Sequence, residues 1–258
     1  LDSIKKIVAD IHGGAVKHLV IIGGNPLFDA PADLDFAAAL AKVSSSLHLA
    51  EYANETSVAC TSYMPRTHYL ESWSDARAYD GTVTLAQPLI APLYGAISSL
   101  ELLAVLTGKT KSAEALLQDQ YPGIAWRQAV HDGFTSVQAM SKATPGAANP
   151  PPVQLQPGQL AGSPRKNGEL EVVFVQSGFS YDGRFANNAW LQETPDFLTK
   201  VTWDNYAMVA PSTAVDLGLK NDTLITLQGA GGKAITVACY VMPGQARGSI
   251  GLVLGGKV

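Results

Sequence analysis

HLVIIGG, residues 18–24, is an unbroken apolar run closed by two glycines, the pattern of a strand buried on both faces in a parallel sheet. Upstream of it, Leu1, Ile4, Val8 and Ile11 recur at helical spacing with Lys5 and Lys6 opposite, and Gly13-Gly14 closes that helix. Downstream, Gly24-Asn25-Pro26 turns the chain, and Leu34, Phe36, Ala37, Leu40 and Val43 mark a second helix from Asp33. SLHLAEY (46–52) reads as the next strand and SVAC (57–60) as a short third one. Helix, strand, helix, strand in this order implies an α/β layer with right-handed crossovers. Loops that follow strands in such a layer face the crevice at the strands' carboxyl ends, where ligands of α/β proteins sit. GGNP stands at that place. By itself a strand-ending Gly-Gly is most often only a tight turn, and neither a GxGxxG nor a P-loop pattern accompanies it.

With 258 residues, 47% of them hydrophobic, the chain can bury one large core or two smaller ones. A net charge of -4 leaves no basic stripe to track phosphates, so nucleic acid is excluded as a partner. The apolar runs are far shorter than the roughly 20 residues of a spanning helix, so no direct membrane span is expected. Cys60 and Cys239 are too few to hold an iron-sulfur cluster between them, and two buried thiols are a blander reading than a bridge. The chain begins at Leu1 without a basic, apolar leader and ends on LGGKV, which reads as a piece of something longer.

The most polar and aromatic stretch, MPRTHYLESWSDARAYDGTVTLAQPLIAP (64–92), keeps no clean period and is expected to be an ordered loop. Beyond it, Ser98 or Ser99 caps a helix that Gly108 ends. Two further helices are expected over 112–120 and over 122–131, with Pro122 in the first turn of the second. Between 142 and 168 lie six of the chain's 15 prolines, a composition that favours extended backbone and places the domain boundary there. The domains are therefore 1–141, a 142–168 linker, and 169–258. In the last of these, LEVVFVQ (170–176), DTLITLQ (222–228) and AITVACYVM (234–242) read as strands, with a glycine hairpin turn at 229–232. PSTAVDLGLK (211–220) reads as one helix capped by Ser212, and short strands with glycine turns suggest a closed barrel.

His68 and Glu71 lie three apart, close to Asp75 and Asp80, which raises a metal site or an acid/base pair. No HExxH and no nearby second histidine supports it, and hydrogen bonds that pin the loop explain the same residues. No residue is assigned a catalytic or a metal-ligating role. In YDGRFANNAWLQ (181–192), Arg184, Asn187, Asn188 and Trp190 can hydrogen-bond and stack on a heterocycle; a capped loop between strands explains them equally.

IIGGNPLFDAPADLDF (21–36), ETSVAC (55–60), the 64–94 stretch, YDGRFANNAWLQETP (181–195) and TWDNYAMVAPSTAVDLGL (202–219) occur in one order. Together they resemble the molybdopterin-oxidoreductase-like B subunit of bacterial alternative complex III, the Tat-variant-translocated molybdopterin oxidoreductases. The resemblance implies a Rossmann-like α/β layer followed by a double-psi β-barrel. It implies that Gly24, Asn25, His68, Glu71, Gln87, Asn187 and Asn188 line a pterin dinucleotide crevice, working or vestigial. It also implies a scaffold without bound molybdenum, with no cofactor in this portion and iron-sulfur clusters further along the polypeptide. The expected partners are the other subunits of a membrane-bound quinol-oxidising respiratory complex, on the periplasmic side of the bacterial inner membrane. Two alternatives stand beside it: an active molybdopterin enzyme whose metal ligand lies upstream, and an independent ligand-binding module.

Overall fold

The computed structural model describes residues 2–138, 169–229 and 231–255, so the proline-rich linker lies outside the described residues. The chain divides into two compact units, Leu1–Ala148 and Asn149–Val258.

Unit 1 opens with helix α1 (Asp2–His12), whose Val8 and Ile11 are buried. Three strands, β1 (His18–Ile22), β2 (Ser45–Ala50) and β3 (Ser62–Pro65), form a parallel sheet in the order β1-β2-β3. The parallel layer is as expected, but β1 is not buried on both faces. Its side chains alternate between the faces: Leu19 and Ile21 pack inward, while Val20 and Ile22 on the other face each remain 39% exposed. The inward face meets Val8 and Ile11 of α1 and Phe36, Ala39, Leu40 and Val43.

The connections are shorter and more broken than their apolar spacing predicts. Pro26 starts helix α2 (Pro26–Asp29) at a position where its missing N–H costs nothing. The expected continuous second helix is a 3-10 turn, Ala32–Leu34, then α3 (Phe36–Leu40). Asp35 interrupts it in a left-handed conformation (φ 43, ψ 57), and its carboxylate accepts the Ala38 N–H as a cap. SVAC is no strand: Ser57–Ala59 lie in α4 (Glu55–Ala59) and Cys60 is its C-cap, because Asn54 caps the Ser57 N–H and starts a helical turn there. The third strand begins only at Ser62.

Nor is the 64–92 stretch one loop. After a 3-10 turn at Tyr69–Glu71, β4 (Ser74–Arg77) and β5 (Thr82–Ala86) pair as an antiparallel hairpin, joined by β6 (Phe134–Ser136). The Ala78 N–H donates to the Thr82 carbonyl at 2.7 Å, and Gly81 takes φ 93, a backbone that the Asp80-Gly81 pair supplies cheaply. Helices α5 (Ser99–Leu106) and α6 (Ala113–Gln120) form as expected, capped by Ser98 and Ser112. α7 (Trp126–Asp132) starts four residues later than Pro122, and Gly133 closes it at φ 78. Val83 and Leu85 of β5 bury against Ala129 of α7.

Tyr121, just past α6, donates its phenol to Asp75 on β4. Burial first, and the Asp75 carboxylate second, push this phenol up to about 12 from the ordinary 10.0. A raised folded value means the contribution to stability is whole below the ordinary value and is lost as pH rises through the folded one. Between those limits wild-type stability should therefore fall with pH more steeply than that of Tyr121→Phe, which lacks the group. Urea titrations of both proteins at stepped alkaline pH check this, and parallel curves would refute it.

Unit 2 is built on a five-stranded mixed sheet in the order β7-β11-β8-β10-β9, made of β7 (Glu171–Val175), β8 (Tyr206–Val209), β9 (Leu224–Gln228), β10 (Ala234–Val241) and β11 (Ser249–Val253). Among the described residues it is open, with β7 and β9 at its edges, rather than the closed barrel the glycine turns suggest. Two strands not expected from the sequence, β8 and β11, lie between β7 and the adjacent β10–β9 pair. Ala207, Val209, Ile225, Val237, Cys239, Ile250 and Leu252 form the core. Helix α8 (Ala189–Gln192) lies in the long β7–β8 connection, and α9 (Pro211–Leu217) follows β8. Ala210, not Ser212, is the N-cap of α9, since Pro211 fits the first helical position. Cys60 and Cys239 are both free thiols, and burial pushes the Cys239 thiol up.

Candidate functional site

The carboxyl ends of β1, β2 and β3 gather a set of bonded polar side chains. Gly23 and Gly24 are consecutive left-handed residues, φ 68 and 72, which glycine adopts without a Cβ penalty. The Gly23 N–H extends the ladder to the Leu49 carbonyl at 2.7 Å. A Cβ on Gly23 would sit 3.1 Å from an Arg66 guanidinium nitrogen, so glycine also makes room for that arginine. Arg66, at the end of β3, pairs through Nη2 with Glu51 Oε1 at 2.7 Å.

Asn25 closes the first loop onto the second. Its Oδ1 accepts from the Thr56 hydroxyl at 2.7 Å and the Thr56 N–H at 3.3 Å, and its Nδ2 donates to Glu55 Oε2 at 2.6 Å. That amide holds the Glu55 carboxyl below the ordinary value. Asn54 Nδ2 reaches back to the Gly24 carbonyl at 3.4 Å. His48, wholly buried on β2, lies under this loop with Nδ1 2.8 Å from Ser57 Oγ. The β1 and β2 loops are thus stitched together by side chains of both.

Of the seven residues expected to line a crevice, Gly24 and Asn25 stand here. His68 and Glu71 pair with each other as a capping box: the His68 N–H donates to Glu71 Oε2 at 2.9 Å, and His68 Nδ1 accepts the Leu70 N–H at 3.3 Å. Glu71 Oε1 accepts the Leu93 N–H at 3.1 Å. Asp75 and Asp80 serve other partners, Tyr121 and the Thr82 N–H, so the four polar residues of this stretch are spread over separate contacts. A cavity of about 290 Å³ opens beside Glu71 and is also lined by Trp73, Glu101 and Glu114. Gln87 donates to the Val130 carbonyl at 3.0 Å and so ties β5 to α7.

In unit 2, Asn188 caps α8 by accepting the Leu191 N–H at 3.2 Å, and Asn187 is exposed beside it. Arg184 forms a two-bond fork with Asp182, at 3.0 and 2.8 Å, and lies 5.0 Å over the Tyr181 ring. The fork holds the Asp182 carboxyl below the ordinary value. Trp190 stands 84% exposed.

Glu51, Asn54, Glu55, Thr56 and Arg66 escaped the sequence reading as site residues. The signal was present in NETS, residues 54–57, an Asn cap followed by groups that point back at the preceding glycine loop. Reading 57–60 as a strand hid it. Among the described residues, no group of three or more His, Cys, Asp or Glu side chains is arranged to hold a metal, and no helix is long and apolar enough to cross a membrane.

No family model matches the chain, and no curated protein matches it. Among solved structures it is similar to acetylene hydratase from Pelobacter acetylenicus, with a TM-score of 0.69 at 14% sequence identity. That likeness covers 96% of this chain and 39% of the hydratase chain. The chain therefore shares the fold of a part, well under half, of that longer protein.

Proposed function

We propose that the chain is a scaffold portion of a molybdopterin-oxidoreductase-like subunit, working in a quinol-oxidising respiratory complex of the alternative complex III kind. The observation that carries this reading is the inward use of the crevice side chains. Asn25 is bonded to Glu55 and Thr56, and Arg66 to Glu51, and a pterin dinucleotide would have to break those bonds to be held by these side chains. Glu71 gives both carboxylate oxygens to partners inside the chain, and His68, Gln87 and Asn188 each give one side-chain polar atom. The residues present do not fit a tightly held dinucleotide, and no step is drawn through one.

On this reading Gly24, Asn25, His68, Glu71, Gln87, Asn187 and Asn188 are remnants of a crevice lining. Unit 2 is the closing lobe of double-psi type, a reading supported by the mixed pairing in which β8 runs parallel to β10 and antiparallel to β11. The electrons travel through iron-sulfur clusters elsewhere in the polypeptide, and the partners are neighbouring subunits on the periplasmic face of the bacterial inner membrane. The five ordered motifs support those assignments. The fold shared with acetylene hydratase supports the two lobes and not the role, because one fold hosts many chemistries.

Metal and pterin analysis of the intact polypeptide that carries this chain tests the proposal. The expected result is iron without stoichiometric molybdenum, tungsten or pterin. A full equivalent of molybdenum with its pterin would overturn it in favour of an active enzyme.

A further inference from the structure

We infer that residues 91–96 form a strap that gates the cavity beside Glu71, pinned at both ends and latched in the middle by one hydrogen bond to that buried carboxylate. The strap is defined by its own bonds and needs no ligand, so it stands or falls separately from the scaffold reading.

Both anchors are backbone bonds. Before the strap, the Leu89 and Ile90 N–H groups donate to the Leu70 carbonyl at 2.8 and 3.2 Å. After it, Ile97 bridges to Arg66: the Ile97 N–H donates to the Pro65 carbonyl at 3.1 Å, and the Ile97 carbonyl accepts the Thr67 N–H at 3.1 Å. Ser98 follows at once as the cap of α5. Between the anchors, the Leu93 N–H donates to Glu71 Oε1 at 3.1 Å. Among the described residues that is the one hydrogen bond tying 91–96 to the rest of unit 1.

Packing does little to reinforce that bond. Residues 91–95 are all exposed, Tyr94 by 82%, and only Ala96 sinks partway. Toward the cavity the strap contributes Pro92 and Ala96, two short side chains that line it together with Trp73, Glu101 and Ala113. The sequence supplies a stiff piece and a joint. Pro92 has a fixed φ and no N–H to bond, and Gly95 takes φ 61, where a side chain would be strained. Backbone with few buried contacts and a solvent-facing hydrogen bond is where local opening costs least.

The latch itself is fixed independently of the strap. Glu71 Oε2 accepts the His68 N–H at 2.9 Å within the capping box of the Tyr69–Glu71 turn, so the carboxylate keeps its place on the cavity wall when Leu93 leaves it. Water entering the opened cavity then takes over the freed oxygen. The helical walls also stay, because Glu101 holds the starts of both helices. Its Oε2 accepts the Ser98 N–H at 2.9 Å and the Ser98 hydroxyl at 2.8 Å, and its Oε1 accepts the Ala113 N–H at 3.2 Å. Opening therefore moves the strap alone, at the cost of one hydrogen bond to a charged acceptor, and removes one wall of a cavity of about 290 Å³.

Amide hydrogen exchange on the whole chain, joined to thiol labelling of an Ala113→Cys protein, tests the gate. Ala113 lines the cavity and is buried, so a thiol there reports access, and peptide mass spectrometry separates its label from any on Cys60 or Cys239. The expected result is that the Leu93 amide opens more often than the Leu89, Ile90 and Ile97 amides, by about tenfold or more. Gly95→Ala leaves Glu71 and the cavity lining untouched and strains only the closed strap. It should raise Leu93 opening and labelling at position 113 together, by about five- to thirtyfold, the cost of a left-handed alanine. If the cysteine protein does not fold, Leu93 exchange in wild type and in Gly95→Ala still decides. A Leu93 amide that opens only in step with the anchors, or no faster in Gly95→Ala, overturns the gate, as does labelling at 113 that ignores Gly95→Ala.

Discussion

Replacing Glu71 by alanine should cost unit 1 about 2–4 kcal/mol and release the 88–95 segment from the body of the fold. Glu71 is only 9% exposed and has one backbone N–H on each oxygen, from His68 and from Leu93. Alanine leaves both donors without an acceptor in a place water reaches poorly, and a bond to a carboxylate is worth more than one to a neutral group. The Leu93 contact matters more for shape. It spans 22 residues and holds a segment whose Leu89, Leu93 and Tyr94 are exposed and contribute little packing of their own. Leu89 and Ile90 keep their bonds to the Leu70 carbonyl, so the segment should loosen from Pro92 onward first. Hydrogen exchange at Leu93 and Tyr94, with urea unfolding of the whole chain, reads both effects. Glu71→Gln keeps one acceptor and sets its NH2 group against the second donor, so it should lose less than alanine while holding only one of the two contacts. Equal losses for Ala and Gln would show that one remaining acceptor contributes nothing and that the carboxylate is needed on both donors.

Glu71 also marks where the sequence stops being informative. Its spacing from His68 is that of an acid/base or ligand pair, and it is equally the i, i+3 spacing of a capping box. Only the backbone between them, one 3-10 turn, selects the second. The helices and strands with long apolar periods, α1, α6, β9 and β10, were legible because burial alone defines them. The misread elements are those in which a short polar side chain overrides the apolar period. Asp35 breaks one expected helix and Asn54 starts another where β-branched residues indicate a strand. The hairpin over 74–86 shows the converse. Asp-Gly between alternating apolar residues is a strong turn signal, but the aromatic and charged residues before it hid the pattern. As for the crevice, GGNP was legible as a loop at strand ends. The long-range partners of its polar atoms lie 26 to 31 residues away, where no local pattern connects them to it.

The second large effect is expected in unit 2. Asp196→Ala should destabilise it by about 2–4 kcal/mol, and Asp196→Asn by clearly less, because the amide oxygen still accepts. The Asp196 carboxylate is buried, and one of its oxygens accepts the Leu198 N–H at 2.9 Å, the Thr199 N–H at 2.8 Å and the Thr199 hydroxyl at 3.1 Å. These bonds close a tight turn in which Lys200 is left-handed (φ 62) and Phe197 and Leu198 stand out into solvent. Burial alone would raise the carboxyl; the Thr199 and Leu198 N–H groups outweigh it, so the folded value lies below the ordinary 3.8. A lowered folded value makes the contribution complete above the ordinary value, and it is lost as pH falls through the folded one. Wild-type stability should therefore drop on acidification below the ordinary aspartate range by a step that Asp196→Asn does not show. Urea midpoints at stepped acidic pH measure that difference, and exchange at Leu198 and Thr199 locates it. If the asparagine protein loses stability along the same acid curve as wild type, the turn is held by its backbone and not by the carboxylate, and the display of Phe197 and Leu198 needs another cause.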